Sequence, residues 1–182
     1  MTLSEVLAGI PVLSELPPEL AHKEVKGIEY DSRRVLPGYL FFAFPGARVD
    51  GREFAADALS RGAIAVVSER ASEAPIPGWI QVEHGRHALA LAARTFYGKL
   101  DDKIYLTGIT GTNGKTTTSY LIDSILRAAG KTTALIGTIE YHLGSRVSPL
   151  GMPVSRLPLS PRLYRCRQDA RPVVLERSEG ST

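Results

Sequence analysis

The feature that most constrains this chain lies near its middle, where an apolar run ends in glycines and a lysine and a helical pattern starts at once. Residues 103–110, Lys-Ile-Tyr-Leu-Thr-Gly-Ile-Thr, read as a buried parallel strand. Gly111, Thr112, Asn113, Gly114, Lys115, Thr116, Thr117 and Thr118 follow without a break. Tyr120 and Leu121, Ile125 and Leu126, and Ala128 and Ala129 then give a helix its apolar face, Gly130 suits its C-terminal cap, and residues 132–137 read as the next strand. This is a β-loop-α-β unit, the repeat from which α/β sheets are built. Its glycines let several backbone N–H groups point inward, and the helix start adds a partial positive charge, so the loop suits a polyphosphate. In such a loop Lys115 reaches the β- and γ-phosphates as the catalytic cation and the Thr116 hydroxyl ligates Mg²⁺, so ATP and Mg²⁺ are the expected cofactors. The strict pattern Gly-x4-Gly-Lys-Thr fails by one position, because residue 109 is Ile109 where a glycine would stand. A glycine-rich turn that holds no ligand would use the same residues.

Strand and helix patterns also alternate upstream. Thr2 and Glu5 have capping-box spacing ahead of Leu3, Val6, Leu7 and Ile10, which recur at helical intervals. Residues 25–30 and 39–44 read as strands, residues 51–61 as a helix, residues 63–67 and 79–82 as strands, and residues 86–97 as a helix with Leu89, Ala92, Ala93 and Phe96 on one face. The fold class is therefore α/β, with a first domain at residues 1–99 and the β-loop-α-β unit opening a second at residues 100–147.

Composition excludes several classes of function. The net charge of +3 could suggest a nucleic-acid partner, but seven of the 22 Lys+Arg lie after Gly144 against three of the 19 Asp+Glu, so the excess sits in the tail. The body carries no basic stripe with interleaved aromatics, and nucleic acid is set aside. No apolar run approaches the roughly 20 residues of a membrane span, and residues 1–10 lack the features of a signal peptide, so a cytoplasmic location with no membrane partner is expected; a monomer is expected as well, though the sequence leaves the oligomeric state open. Cys166 reads as an incidental thiol, and His84 and His87 as surface or capping residues, with no third metal ligand in view.

The shortened loop Thr110-Gly111-Thr112-Asn113-Gly114-Lys115-Thr116 resembles that of the Mur ligase superfamily, which includes the folylpolyglutamate synthetases. Tyr30, Asp31, Ser32 and Arg33, then Pro37-Gly38-Tyr39-Leu40-Phe41, Gly46, Asp50-Gly51 and residues 62–67, resemble the UDP-binding amino-terminal domain of that family's third- and fourth-residue ligases, which the folate enzymes lack. Leu135, Ile136, Gly137, Thr138, Ile139, Glu140 and Tyr141 are similar to the third-residue ligases in particular. The resemblance implies an ATP-dependent ligase of peptidoglycan precursor synthesis. In such ligases ATP phosphorylates the D-glutamate carboxylate of UDP-MurNAc-L-Ala-D-Glu, and the amine of a diamino acid, diaminopimelate or lysine, displaces the phosphate. It also implies uridine contacts from Tyr30 and Ser32, with Ala47, Arg48 and Val49 as a second contact segment. On residue chemistry alone Asp31-Ser32-Arg33 also reads as an ordinary turn with an Asp-Arg pair.

After Val147 the family pattern should continue with an Asn-Thr-Thr segment, a Mg²⁺-binding glutamate, a carbamylated lysine and a carboxy-terminal domain. Residues 148–182 instead hold five of the 12 prolines and no lysine, and show no strand or helix period. They read as an irregular, non-family tail produced by truncation or a frameshift, with weak or absent ligase activity as the consequence. A non-catalytic UDP-sugar-binding remnant and a different P-loop phosphotransferase are the alternatives.

Overall fold

The computed structural model describes residues 1–45, 49–72, 76–99, 102, 105–137, 139–143, 146–149 and 172–176. The chain divides into two compact units, Met1–Gly98 and Lys99–Thr182. At the division the backbone is left-handed at two successive residues, Gly98 (φ 77°) and Lys99 (φ 53°), which stops the preceding helix.

The first unit is a four-stranded parallel sheet with helices on both faces. Its elements are α1 (Leu3–Val6), α2 (Pro18–Ala21), β1 (Gly27–Glu29), β2 (Tyr39–Phe42), α3 (Ala55–Ser60), β3 (Ala65–Ser68), β4 (Trp79–Gln81) and α4 (Gly85–Phe96), with strand order β1-β2-β3-β4. The capping box expected at Thr2 is present, since Glu5 N–H donates to the Thr2 hydroxyl and Thr2 N–H to the Glu5 carboxylate. Leu40 and Phe42 of β2 point into a core shared with α1, α2 and α4, whereas Phe41 and Ala43 point into a second core under α3. All four side chains are at most 1% exposed. Burial on both faces is why this strand is apolar throughout and not alternating. The helix expected at residues 51–61 begins as a 3-10 turn at Gly51–Phe54 and becomes α-helical only at Ala55.

The second unit contains β5 (Tyr105–Ile109), α5 (Lys115–Ala128), β6 (Ala134–Ile136), β7 (Glu140–Leu143), β8 (Arg146–Pro149) and β9 (Pro172–Glu176). The sheet order is β5-β9-β6-β7-β8; β5, β9 and β6 run parallel, and β7 and β8 are antiparallel to their neighbours. Three expectations change here. First, the strand before the glycine loop is not buried: Tyr105 is 71% and Leu106 50% exposed, because among the described residues β5 is an edge strand with β9 as its one neighbour. Second, α5 turns Ser119 and Asp123 inward and leaves Leu121 and Ile125 exposed, so its inner face is rotated by about one residue from the apolar one. Asp123 is accommodated because the Thr133 hydroxyl and the Arg127 Nε, at 2.8 Å, both donate to its carboxylate. Third, the tail is not wholly irregular. Pro172–Glu176 forms the strand between β5 and β6. Proline is tolerated at the first position of a strand, and the Val173-Val174-Leu175 run has the composition of an interior parallel strand.

Candidate functional site

In the second unit β5 ends at Ile109 and α5 begins at Lys115, so residues 110–114 form a short loop at the carboxyl end of a parallel strand. Gly111 has φ 142° and Gly114 φ 75°, both in the region that disfavours side chains, which is why these two positions are glycine. Gly114 is also the N-cap of the 14-residue α5 and has no side chain with which to cap it. The Lys115 ammonium turns back over the loop and donates to the Gly111 carbonyl, so the cation lies on the loop side of the helix start. Thr112, Asn113 and Thr117 are exposed, while Lys115 and Thr116 are half-buried. The structure thus brings Gly111, Thr112, Asn113, Gly114, Lys115, Thr116 and Thr117 into one loop and first helical turn, with the ammonium folded over the loop at the helix N-terminus.

One further position was not visible in the sequence. In the β5–β9 register Glu176 stands opposite Ile109, one residue before the loop begins. An acidic residue at the end of the strand next to a phosphate loop is where P-loop enzymes keep a metal-holding carboxylate. Val173-Val174-Leu175-Glu176, an apolar run ending in an acid, was the available signal. Among the described residues no group of three or more His, Cys, Asp or Glu could hold a metal by itself.

In the first unit the uridine candidates lie at the carboxyl edge of the sheet, where open α/β folds bind ligands. Tyr30, just after β1, is 47% exposed, and its ring stacks on Phe44 at a centroid distance of 6.3 Å and 24° between planes. Ser32 sits on a 3-10 turn, Ser32–Arg34, and is only 5% exposed. Its hydroxyl donates to Asp57 of α3, and this bond, with that from Arg61, holds the Asp57 carboxyl below its ordinary value. The Ser32 side chain is therefore committed to packing α3, and Asp31 is committed to Arg33, whose Nε and Nη2 donate to the carboxylate at 2.9 and 2.8 Å. Ala47 and Arg48 lie outside the described residues. Val49 is 49% exposed, in a loop closed by the Pro45–Asp50 bridge and by donation from Gly51 N–H to the Phe44 carbonyl. Beside Asp50 opens a groove of about 360 Å³ lined in part by Arg52, Ser72, Ile76 and Trp79, near the lower end of ligand-pocket sizes. His84 and His87 are exposed, and His84 precedes α4 without a side-chain capping bond. Cys166 lies outside the described residues, and among those described no helix is long and apolar enough to cross a membrane.

Comparison with known proteins sets this geometry in context. A model described as "Mur ligase family, catalytic domain" matches residues 24–97, and one described as "Mur ligase middle domain" matches residues 109–180, a span that includes β9. The chain is 66% identical over 148 residues to the UDP-N-acetylmuramoyl-L-alanyl-D-glutamate–2,6-diaminopimelate ligase of Solibacter usitatus, covering 81% of this chain and 30% of that protein. It is 51% identical over 125 residues to the ligase of the same name from Aquifex aeolicus, covering 69% of this chain and 26% of the relative. Among solved structures, a ligase of the same name superposes with a TM-score of 0.72 at 27% identity, over 91% of this chain and 34% of the other. The MurF ligase from Thermotoga maritima in complex with ADP superposes with a TM-score of 0.52 at 26% identity, over 85% of this chain and 32% of the other. The chain thus spans about a third or less of the length of the relatives it matches. With one family matching both units in succession, and a doubly covered parallel sheet followed by a glycine-loop unit as its fold, the chain belongs to the Mur ligase family.

Proposed function

We propose that the chain contributes to an ATP-dependent ligase that joins diaminopimelate to UDP-MurNAc-L-Ala-D-Glu. The observation that carries this reading is the turn at residues 110–115, where a left-handed glycine starts α5 and the Lys115 ammonium folds over the loop. Backbone N–H groups, helix dipole and one fixed cation are what a triphosphate needs for binding and for neutralisation as its terminal phosphoryl group departs. The Thr116 hydroxyl is a hard oxygen donor of the kind Mg²⁺ takes, and Glu176 stands opposite Ile109 in the strand register beside the loop; when bound, the ion would supply charge neutralisation for the phosphates. ATP and Mg²⁺ are accordingly the proposed cofactors. The relatives' shared name supports the substrate assignment. Phosphorylating the D-glutamate carboxylate replaces an oxide leaving group by phosphate, and the amine then forms the amide as phosphate leaves.

Tyr30 and Val49 are the exposed members of the proposed uridine site in the first unit, with Ala47 and Arg48 between Pro45 and Val49 in the chain. Ser32 acts there by holding the 3-10 turn against Asp57. The domain assignment is residues 1–99 for UDP-substrate binding and, from residue 100, part of the ATP domain, to whose sheet Pro172–Glu176 contributes a strand. A cytoplasmic monomer is the proposed state.

For these 182 residues by themselves the reading is of weak or absent turnover, since β5 carries the ATP loop on an exposed edge strand. That same exposure favours a second reading, a non-catalytic chain whose first unit binds a UDP-sugar. Phosphate release in the presence of ATP, UDP-MurNAc-L-Ala-D-Glu and diaminopimelate tests both. Turnover comparable to a full-length relative would refute the expected weakness, whereas binding of the UDP-dipeptide without binding of ATP would favour the second reading.

A further inference from the structure

At the carboxyl edge of the first sheet, three segments meet around one ring. Phe44 follows β2, stacks on Tyr30 after β1, and carries the Arg86 guanidinium 4.6 Å from its ring centroid. Arg86 is the second residue of α4, and its Nη2 donates to the Pro45 carbonyl at 3.2 Å. Gly85, one residue earlier, packs so closely that a Cβ there would stand 3.3 Å from the Phe44 Cβ. Tyr30 and Arg86, which both lie against Phe44, are exposed, and Phe44 itself is half-buried. An aromatic face and an anchored guanidinium therefore share one edge.

The charges around this edge differ in one respect. Arg33, Arg52 and Arg61 pair with Asp31, Asp50 and Asp57 at 2.8, 2.6 and 2.9 Å. Arg86 has no carboxylate partner among the described residues, and its single hydrogen bond there is to a neutral carbonyl. The N-terminus of α4 is not the anion site, because the Glu69 carboxylate already accepts from Gly85 N–H at 3.2 Å. The positive group presented here is a side chain, planar and with several N–H donors beyond the one bonded to Pro45, a geometry that matches phosphate oxygens.

We propose that Arg86 binds the diphosphate of a nucleoside diphosphate whose base stacks on Tyr30. The proposal rests on the uridine reading of the first unit and assigns within it the residue that tells a nucleotide from a nucleoside. Phe44 serves both halves, as the support behind Tyr30 and as the surface that holds the guanidinium in place.

Isothermal titration of the full chain with UDP and with uridine tests this. The wild-type chain should bind UDP more tightly than uridine, and the difference should shrink as salt rises. Arg86→Ala should weaken UDP binding by about tenfold, the loss of one charge-assisted phosphate contact, and leave uridine affinity unchanged. Tyr30→Ala should weaken both. Arg86→Gln keeps a donor for Pro45 without the charge, and it should behave like Arg86→Ala; its melting temperature, unchanged from wild type, reports that the fold is intact. If the wild-type chain binds UDP and both Arg86 variants bind it equally well, the proposal is overturned while the uridine reading stands. If the wild-type chain binds neither UDP nor uridine, both are overturned.

Discussion

Two parallel strands, β2 in the first unit and β5 in the second, are buried to opposite extents. In β2 of the first unit Leu40, Phe41 and Phe42 are at most 1% exposed, whereas in β5 of the second Tyr105 and Leu106 are 71% and 50% exposed. The difference lies in what surrounds each strand. Strand β2 has β1 and β3 as neighbours and helices on both faces; among the described residues β5 has β9 at its side, and α5 packs against its sheet. The lesson is that a phosphate-binding loop is a local object, set by glycine dihedrals and one lysine, whereas the sheet that carries it depends on distant partners.

The largest expected effect breaks the first side of this contrast. Phe41→Ala removes a fully buried ring and should cost about 3–5 kcal/mol, lowering the urea midpoint of the first unit. Trp79 is the only tryptophan and lies on β4, so its fluorescence reports that unit alone. An unchanged midpoint would mean that the two-sided core contributes less than its burial implies.

A smaller effect belongs to the second unit. Asp123→Ala removes the carboxylate shared by Thr133 and Arg127, leaving them the 3.1 Å bond between them, and should destabilise α5 against β6 by about 1–3 kcal/mol. Hydrogen exchange of the amides of β6 and of the last turns of α5 would show it, with no change in β2. The exposed outer face of α5 provides the complement: Ile125→Ser, at 66% exposure, should change stability by less than about 0.5 kcal/mol. A large loss there would show that this face is covered in solution.

The smallest effect is the acid limb of the first unit. The Arg33 and Arg52 side chains, by hydrogen bonding, hold the Asp31 and Asp50 carboxyls below their ordinary value of 3.8. Carboxyls depressed in this way contribute stability that is complete above the unfolded value and is lost as pH falls through the folded one. Stability should therefore stay level from neutral pH to about 4 and fall below it, and an Arg33→Ala, Arg52→Ala chain should show a shallower fall.

Much of this was legible in local residue chemistry. The Thr2–Glu5 capping box and the strand-loop-helix step into Lys115 are set by neighbours a few residues apart, and these follow the sequence pattern. The phase of α5 was not legible. Leu121, Ile122, Ile125 and Leu126 give apolar choices on several sides, and the inner face is fixed by Asp123 finding Thr133 on the next segment. Nor was β9, because a five-residue strand in a proline- and arginine-rich stretch gains its meaning from partners in β5 and β6, some 35 residues or more upstream. Arg86 was overlooked for the same reason. An exposed arginine acquires a role only when the fold brings Phe44 beneath it.

Triphosphate binding by the turn before α5 is tested most directly by titrating the 182-residue chain with a non-hydrolysable ATP analogue in Mg²⁺, beside Lys115→Ala. Saturable binding by the wild-type chain is expected, with a loss of about tenfold or more on removing the ammonium. Equal affinity in the two proteins would contradict it.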